Sequence, residues 1–242
     1  MANTPYSIGY VHEADIPVQY KLAEAFTVGD MYYESIISST APNRVSWFSG
    51  TINPPKGSKV NGTNKYMGGP TLDNRDSVGC ERTDSGKPFS CVPLRWKTVP
   101  EYLQEAGISW RVYQDKDNFG DDPLVMWKQY QTSAKKKGDL AQRGTSFPGL
   151  QKFFDDARDG KLPEVAYIVA PMQLSEHPPY MPMDGAWLQG EVAKAVMHGK
   201  NWDSTALIYS YDETGGWADH VVSPSPPQSE ESEWIAVSYT HL

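Results

Sequence analysis

The sequence predicts an α/β fold, a doubly wound and mostly parallel sheet with helices on both faces. Strand-like runs alternate with helix-like runs along the chain, the order that builds parallel sheets through crossovers. Val165-Ala-Tyr-Ile-Val-Ala170 is an almost unbroken apolar run, the pattern of a strand covered on both faces. Polar side chains gather directly after the strand-like runs, where open α/β sheets hold their ligands.

Residues 14–26 predict a helix: Asp15 can cap it, Pro17 suits its first turn, and Val18, Leu22, Ala25 and Phe26 share a face. Phe26–Asp30 predicts a short strand. The hydroxyl-rich turn Ser38-Ser-Thr-Ala-Pro-Asn-Arg44 then leads into Val45–Thr51. Residues 52–96, dense in Gly, Pro, Asn and Asp, predict a loop-rich surface excursion. Thr98–Gly107 predicts a helix in which Thr98 and Glu101 form a capping box and Gly107 ends the element. A strand at Ile108–Tyr113 precedes a polar loop at Asp115–Asp122 and a helix at Pro123–Gln131. The charge run Ala134–Lys137 reads as a solvated face. Pro148–Ala157 predicts a helix closed by Gly160, Gly185–His198 another, and Ala206–Tyr211 a last strand. No repeat or linker interrupts the pattern, so residues 1–227 read as a single domain and 228–242 as a tail of different character.

A chain of 242 residues with 39% hydrophobic and 21% charged side chains can bury a sizeable core. The formal charge of −8 argues against a nucleic-acid surface, which needs a basic face. No apolar run is long enough for a transmembrane segment, and the first ten residues lack the charged and apolar regions of a signal peptide. Cys80 and Cys91 stand close together in one loop-like segment, where a small disulfide loop and two thiols are equal alternatives. Asn61-Gly-Thr63 is a glycosylation sequon, meaningful only in an exported chain.

The chemistry centres on Leu207-Ile-Tyr-Ser-Tyr-Asp-Glu-Thr-Gly-Gly-Trp-Ala-Asp-His220. An apolar run ends there in two carboxylates, followed by a glycine pair, a second acid and a histidine. Adjacent carboxylates near a histidine are costly to desolvate unless a cation lies between them, which points to a metal-assisted hydrolytic site. Earlier strand ends carry Thr40, then Asn118 and Asp121, then Ser175-Glu-His-Pro-Pro179. Each has a bland reading alone: a threonine before Ala-Pro-Asn is usually a turn or cap, a histidine before Pro-Pro usually structural. Their recurrence at the same place relative to successive strands favours one shared site.

Taken together, Ile16–Thr27, Ser39-Thr-Ala-Pro-Asn-Arg44, Gly68–Asn74, Ala106–Gln114, Asn118-Phe-Gly-Asp121, Ser175-Glu-His-Pro178 and Tyr211–His220 carry a resemblance. In this order, over roughly residues 7–224, the chain resembles the bacterial and fungal phosphoesterases of the phospholipase C type, the phosphocholine-preferring branch. Plant non-specific phospholipases C and certain acid phosphatases are related to that branch. The resemblance implies an alkaline-phosphatase-like version of the predicted fold. It implies Thr40 as a hydroxyl nucleophile and metal ligand, Asp212 and Glu213 as further metal ligands, and His177 and His220 on the wall around the phosphate. It places Asn118 within reach of the phosphoryl group. A divalent metal ion is expected as cofactor, with Zn, Ca, Mg and Mn all compatible with oxygen ligands beside a hydroxyl. The expected partner is a phospholipid or another phosphate ester, met at a membrane surface where it is a lipid. A choline head group would call for aromatic faces, for which Trp187, Trp217 and Tyr180 are candidates. The full-length protein is expected to be secreted or periplasmic.

The sequence departs from that family in two places. The family has an upstream Glu-Asn pair that completes the metal site, and a histidine often stands where this chain has Tyr33. After Pro227 the family's continuation is not matched, and the chain therefore reads as truncated at both ends. Two other functional classes remain. One is a non-catalytic relative that binds a phosphorylated ligand. The other is a glycosidase using Asp212, Glu213 or Glu176 across a sugar cleft, which leaves Thr40 and His177 without a task.

Overall fold

A computed structural model describes residues 9–53, 68–70, 72–73, 79–82, 88–217, 219 and 221–225, with 79–82 and 88–91 described through their backbone. Helix α1 (Pro17–Ala25) starts on Pro17, whose missing N–H is no loss in a first turn. Asp15 does not cap it. Ile16 is the N-cap, and Asp15 instead accepts from the His12 amide at 3.3 Å. The strand expected at Phe26–Asp30 does not form: that segment has no ladder partner among the described strands, and Val28 is exposed.

Helix α2 (Thr40–Ser49) occupies the stretch that looked like a turn. Pro42 lies in its first turn, where no intrahelical N–H bond is lost. Ala41, Val45 and Phe48 repeat at helical spacing and are buried, and Gly50 ends the helix at φ 73°. Strands β1 (Gly79–Arg82) and β2 (Pro88–Val92) make an antiparallel hairpin. Residues 52–96 are not simply a surface excursion, because Leu72, Val92 and Leu94 are buried in the core beside α2. Helix α3 (Val99–Glu105) has the predicted capping box, with Glu101 Oε2 accepting from the Thr98 amide at 2.8 Å, and Gly107 takes φ 75° after it.

Strands β3 (Trp110–Tyr113) and β4 (Val165–Ile168) pair in parallel, Trp110 opposite Val165 and Tyr113 opposite Ile168. Between them run a 3-10 turn (Pro123–Met126), α4 (Lys128–Lys135), α5 (Asp139–Gly144) and α6 (Leu150–Asp159). The single helix expected over Pro123–Gln131 is broken at Trp127. Leu94 bonds to Met126 O and accepts from the Lys128 amide, which holds Trp127 extended.

The side chains of β3 and β4 alternate between two apolar clusters. Trp110, Val112, Val165 and Tyr167 meet α2, α4 and Leu94 on one face; Tyr113, Ala166 and Ile168 meet α6 and helix α7 (Pro182–Met197) on the other. Both faces of this small parallel sheet are thus covered, as the apolar run at 165–170 predicts. α1 lies on α7, with Val18 against Gly190. The last expected strand, Ala206–Tyr211, is extended in pattern only: Leu207 packs on the second cluster and Ile208 is exposed, but no described strand pairs with it. No helix among the described residues is long and apolar enough to cross a membrane.

Candidate active site

The site starts at the first turn of α2. The Asn43 side chain turns back over the preceding loop: Oδ1 accepts from the Ile36 amide at 2.9 Å, and Nδ2 donates to Ile36 O at 2.9 Å and Ser39 O at 3.2 Å. The chain leading into Thr40 is thereby fastened to the helix that Thr40 begins. Ser39, the N-cap, makes no side-chain capping bond.

Arg44 stands one turn beyond Thr40, on the same face of α2. Its Nε donates to Asp212 Oδ2 at 2.9 Å and its Nη1 to Asp121 O at 2.9 Å, with Nη2 3.5 Å from Asp121 Oδ2. One guanidinium therefore joins the start of α2, the loop after β3 and the acidic segment at 212. The fork of donors suits this three-way bridge in a way a lysine would not.

Behind Arg44 lies a buried polar chain. Asn118 Nδ2 donates to Gln114 Oε1 at 2.5 Å, Gln114 Nε2 to Asp122 Oδ2 at 2.8 Å, and Asp122 Oδ1 accepts from the Leu124 amide at 3.0 Å. Asn118 Oδ1 accepts from the Gly120 amide at 3.1 Å, so both ends of its amide are engaged within the fold. Burial pushes Asp122 up to about 6, against the pull of its hydrogen bonds from Gln114 and Leu124 and the charge of Arg44.

The loop after β4 carries Ser175, Glu176 and His177. Phe119 at φ 60° and Glu176 at φ 65° are both left-handed, uncommon for residues with side chains. The Phe119 and His177 rings lie 4.8 Å apart, joining this loop to the one after β3. His177 Nδ1 is 2.7 Å from Pro178 O. A carbonyl only accepts, so Nδ1 carries the hydrogen and the neutral ring keeps Nε2 as its acceptor. Glu213 is turned onto its own loop, accepting from the Gly215 amide at 2.7 Å.

A cleft beside Arg44 is lined by Tyr33, Glu34, Asn43, Trp47, Ile168, Tyr211 and Asp212, among others. Of the site residues expected from sequence, Asp212 lines it, while Thr40, Asn118, His177 and Glu213 do not. Trp187 and Trp217 are exposed and also lie outside it, and Tyr180 is tied to His177 by a turn. His220, the sequon at Asn61 and the tail at 228–242 lie outside the described residues. Arg44 and Asn43 organise the site without having been singled out for it, and Glu176 was named only as a carboxylate of the glycosidase reading. The signal for Arg44 was its place four residues after Thr40.

A metal ion held by Thr40, Asp212 and Glu213 would have to share or displace contacts that the two carboxylates already make. No group of three His, Cys, Asp or Glu side chains able to hold one occurs among the described residues. One oxygen of Asp212, Oδ2, accepts from Arg44, and one of Glu213, Oε2, accepts from the Gly215 amide.

The fold and this junction define an α/β protein in which a hydroxyl-led helix and an acidic loop converge on one arginine. A model of the phosphoesterase family matches residues 1–241. The chain belongs to the phosphoesterase family. It is similar to the non-hemolytic phospholipase C of Pseudomonas aeruginosa, 40% identical over 230 residues covering 93% of this chain and 30% of that protein. It is 34% identical over 257 residues to the non-hemolytic phospholipase C of Burkholderia pseudomallei, covering 96% of this chain and 33% of that protein. Phospholipase C B of Mycobacterium tuberculosis is 33% identical over 243 residues, covering 97% of this chain and 42% of that protein. The chain spans roughly a third of the length of the curated relatives it matches.

Proposed function

We propose that this protein hydrolyses phosphate esters in the manner of a phospholipase C, cleaving a phospholipid to diacylglycerol and a phosphorylated head group. The observation that carries the reading is the junction at Arg44. It joins Thr40–Arg44, Asn118–Asp121 and Tyr211–Glu213, three of the stretches that resemble the phospholipase C type. The relatives' names support the same class. The finer fold that goes with it is a doubly wound, alkaline-phosphatase-like sheet.

In this reading the Thr40 hydroxyl attacks phosphorus, forming a threonine–phosphate ester while the bond from phosphorus to the leaving alcohol breaks. The Thr40 proton passes to His177 Nε2, the acceptor left by the Nδ1 bond to Pro178 O, and from there to the leaving alkoxide. Water then attacks the phosphothreonine, giving its proton to the same nitrogen and restoring the hydroxyl. Arg44 supplies positive charge one turn from the reacting oxygen. A divalent metal ion is the cofactor that goes with the family. The substrate would be met at a lipid surface outside the cytoplasm, with Trp187, Trp217 and Tyr180 as aromatic contacts for its head group.

Hydrolysis of a chromogenic phosphocholine ester tests the reading: activity is expected, and Thr40→Ala is expected to abolish it. Full activity in that variant removes Thr40 as nucleophile. A second reading is favoured by the Arg44–Asp212 pair, which occupies the carboxylate a metal would need: a module that binds a phosphorylated ligand without cleaving it. Saturable binding of phosphocholine without turnover would select it.

A further inference from the structure

Glu176 stands where three parts of the chain meet. Its Oε1 accepts from Gln19 Nε2 of α1 at 3.3 Å, from Gln189 Nε2 of α7 at 3.0 Å and from the Tyr211 hydroxyl at 3.1 Å. Its Oε2 lies 3.0 Å from the same hydroxyl, which Gln189 Nε2 also meets at 3.1 Å. The fold makes room for this carboxylate at a cost. Glu176 sits at φ 65°, and a Cβ on Gly185 of α7 would lie 2.2 Å from Glu176 Cγ and Oε1. A left-handed residue whose carboxylate fills the space a Cβ at Gly185 would take marks a place where geometry has been kept against local preference.

The geometry so kept concerns its neighbours. Glu176 immediately precedes His177, and Tyr211 immediately precedes Asp212. The bond from Tyr211 to Glu176 therefore ties together the two loops that carry the histidine and the acid, and Asp212 in turn grips Arg44.

We infer that Glu176 is a positioning residue: through Tyr211 it holds Asp212 on Arg44, and through its own left-handed backbone it sets the place of His177. Where catalysis is concerned this rests on the hydrolase reading; the geometric part does not. A purely structural Glu176 would only pin α1 to α7, and its loss would loosen the fold without singling out Arg44.

The Arg44 Nε–H, which donates to Asp212, reports the difference. Its exchange with water is followed by ¹⁵N NMR in the intact chain, with the distant Thr98 amide as reference. Glu176→Ala and Tyr211→Phe are each expected to speed the Arg44 Nε–H about tenfold, the equivalent of one lost hydrogen bond, and to leave Thr98 unchanged. Glu176→Gln, whose amide oxygen still accepts, is expected to restore most of the protection. Wild-type exchange in both Glu176→Ala and Tyr211→Phe overturns the inference, as does parallel acceleration at Arg44 and Thr98. Where the wild type hydrolyses the phosphocholine ester, kcat should fall about tenfold in Glu176→Ala with KM held. An unchanged kcat there overturns the catalytic part while the hydrolase reading stands. A wild type that cleaves nothing removes the hydrolase reading and leaves the exchange measurement to decide the positioning role.

Discussion

Arg44 and Asp212 lie 168 residues apart in sequence and meet at 2.9 Å. The pair is partly shielded, with side-chain exposures of 18% and 27%. Arg44→Met should strand both Asp212 and the Asp121 carbonyl and cost about 2 kcal/mol, more than an exposed ion pair is worth. Arg44→Lys should recover less than half of that, since an ammonium cannot reproduce the three-pronged contact. Urea unfolding followed by tryptophan fluorescence measures both.

Gly68 is a second point of tight geometry. A Cβ there would fall 1.8 Å from Ile52 O, a backbone atom with little room to yield. Gly68→Ala should destabilise by about 3 kcal/mol. Gly50 offers the contrast: among the described residues nothing stands within 4 Å of its Cβ position, and its cost is the φ of 73°. Gly50→Ala should lose about 1 kcal/mol, read as a smaller fall in the thermal midpoint.

The buried Asp122 makes stability depend on pH in a defined direction. Its folded-state pKa of about 6 lies above the ordinary 3.8, so the fold holds its proton more tightly than the unfolded chain does. Stability from this group is fully present below about pH 4 and is lost as pH rises to about 6, about 3 kcal/mol in all. Asp156 and Glu164 have lowered pKa values and act in the opposite sense. The test is therefore the difference between wild type and Asp122→Asn: it should slope between about pH 4 and pH 6 and be flat above.

The hairpin register sets Cys80 directly opposite Cys91. Opposed residues on antiparallel strands have Cα atoms about 4.5–5.5 Å apart, within the range a disulfide spans. Alkylation of the oxidised protein should add no mass at either position until a reductant is supplied. Uptake of two alkyl groups without reduction would show a pair of thiols.

Where the sequence signals were local, they were legible. Thr98, Glu101 and Gly107 announce α3, Gly160 closes α6, and the apolar run at 165–168 is β4. Helix α2 stayed hidden because Pro42 and three hydroxyl residues resemble a turn, while its burial pattern becomes visible only once Ala41, Val45 and Phe48 have a sheet to face. The break at Trp127 is imposed by Leu94, a contact without a local trace. At the site, Thr40, Asp212 and His177 stand out by residue type and place. The roles of Arg44 and Glu176 were not legible, because they consist of bonds to distant residues: Arg44 to Asp212, and Glu176 to Gln19 and Tyr211.

The parallel pairing of β3 with β4 bears on how the chain is made. Trp110 must wait for Val165, 55 positions later, before the two strands can join. At ribosomal speeds of about 5–20 residues per second, that wait lasts roughly 3–10 s. Throughout it, Val112 and the apolar side of α2 have no sheet to close over. Codon choice between positions 113 and 165 sets the length of that interval, and slow codons there should raise the demand for chaperones and lower the soluble yield.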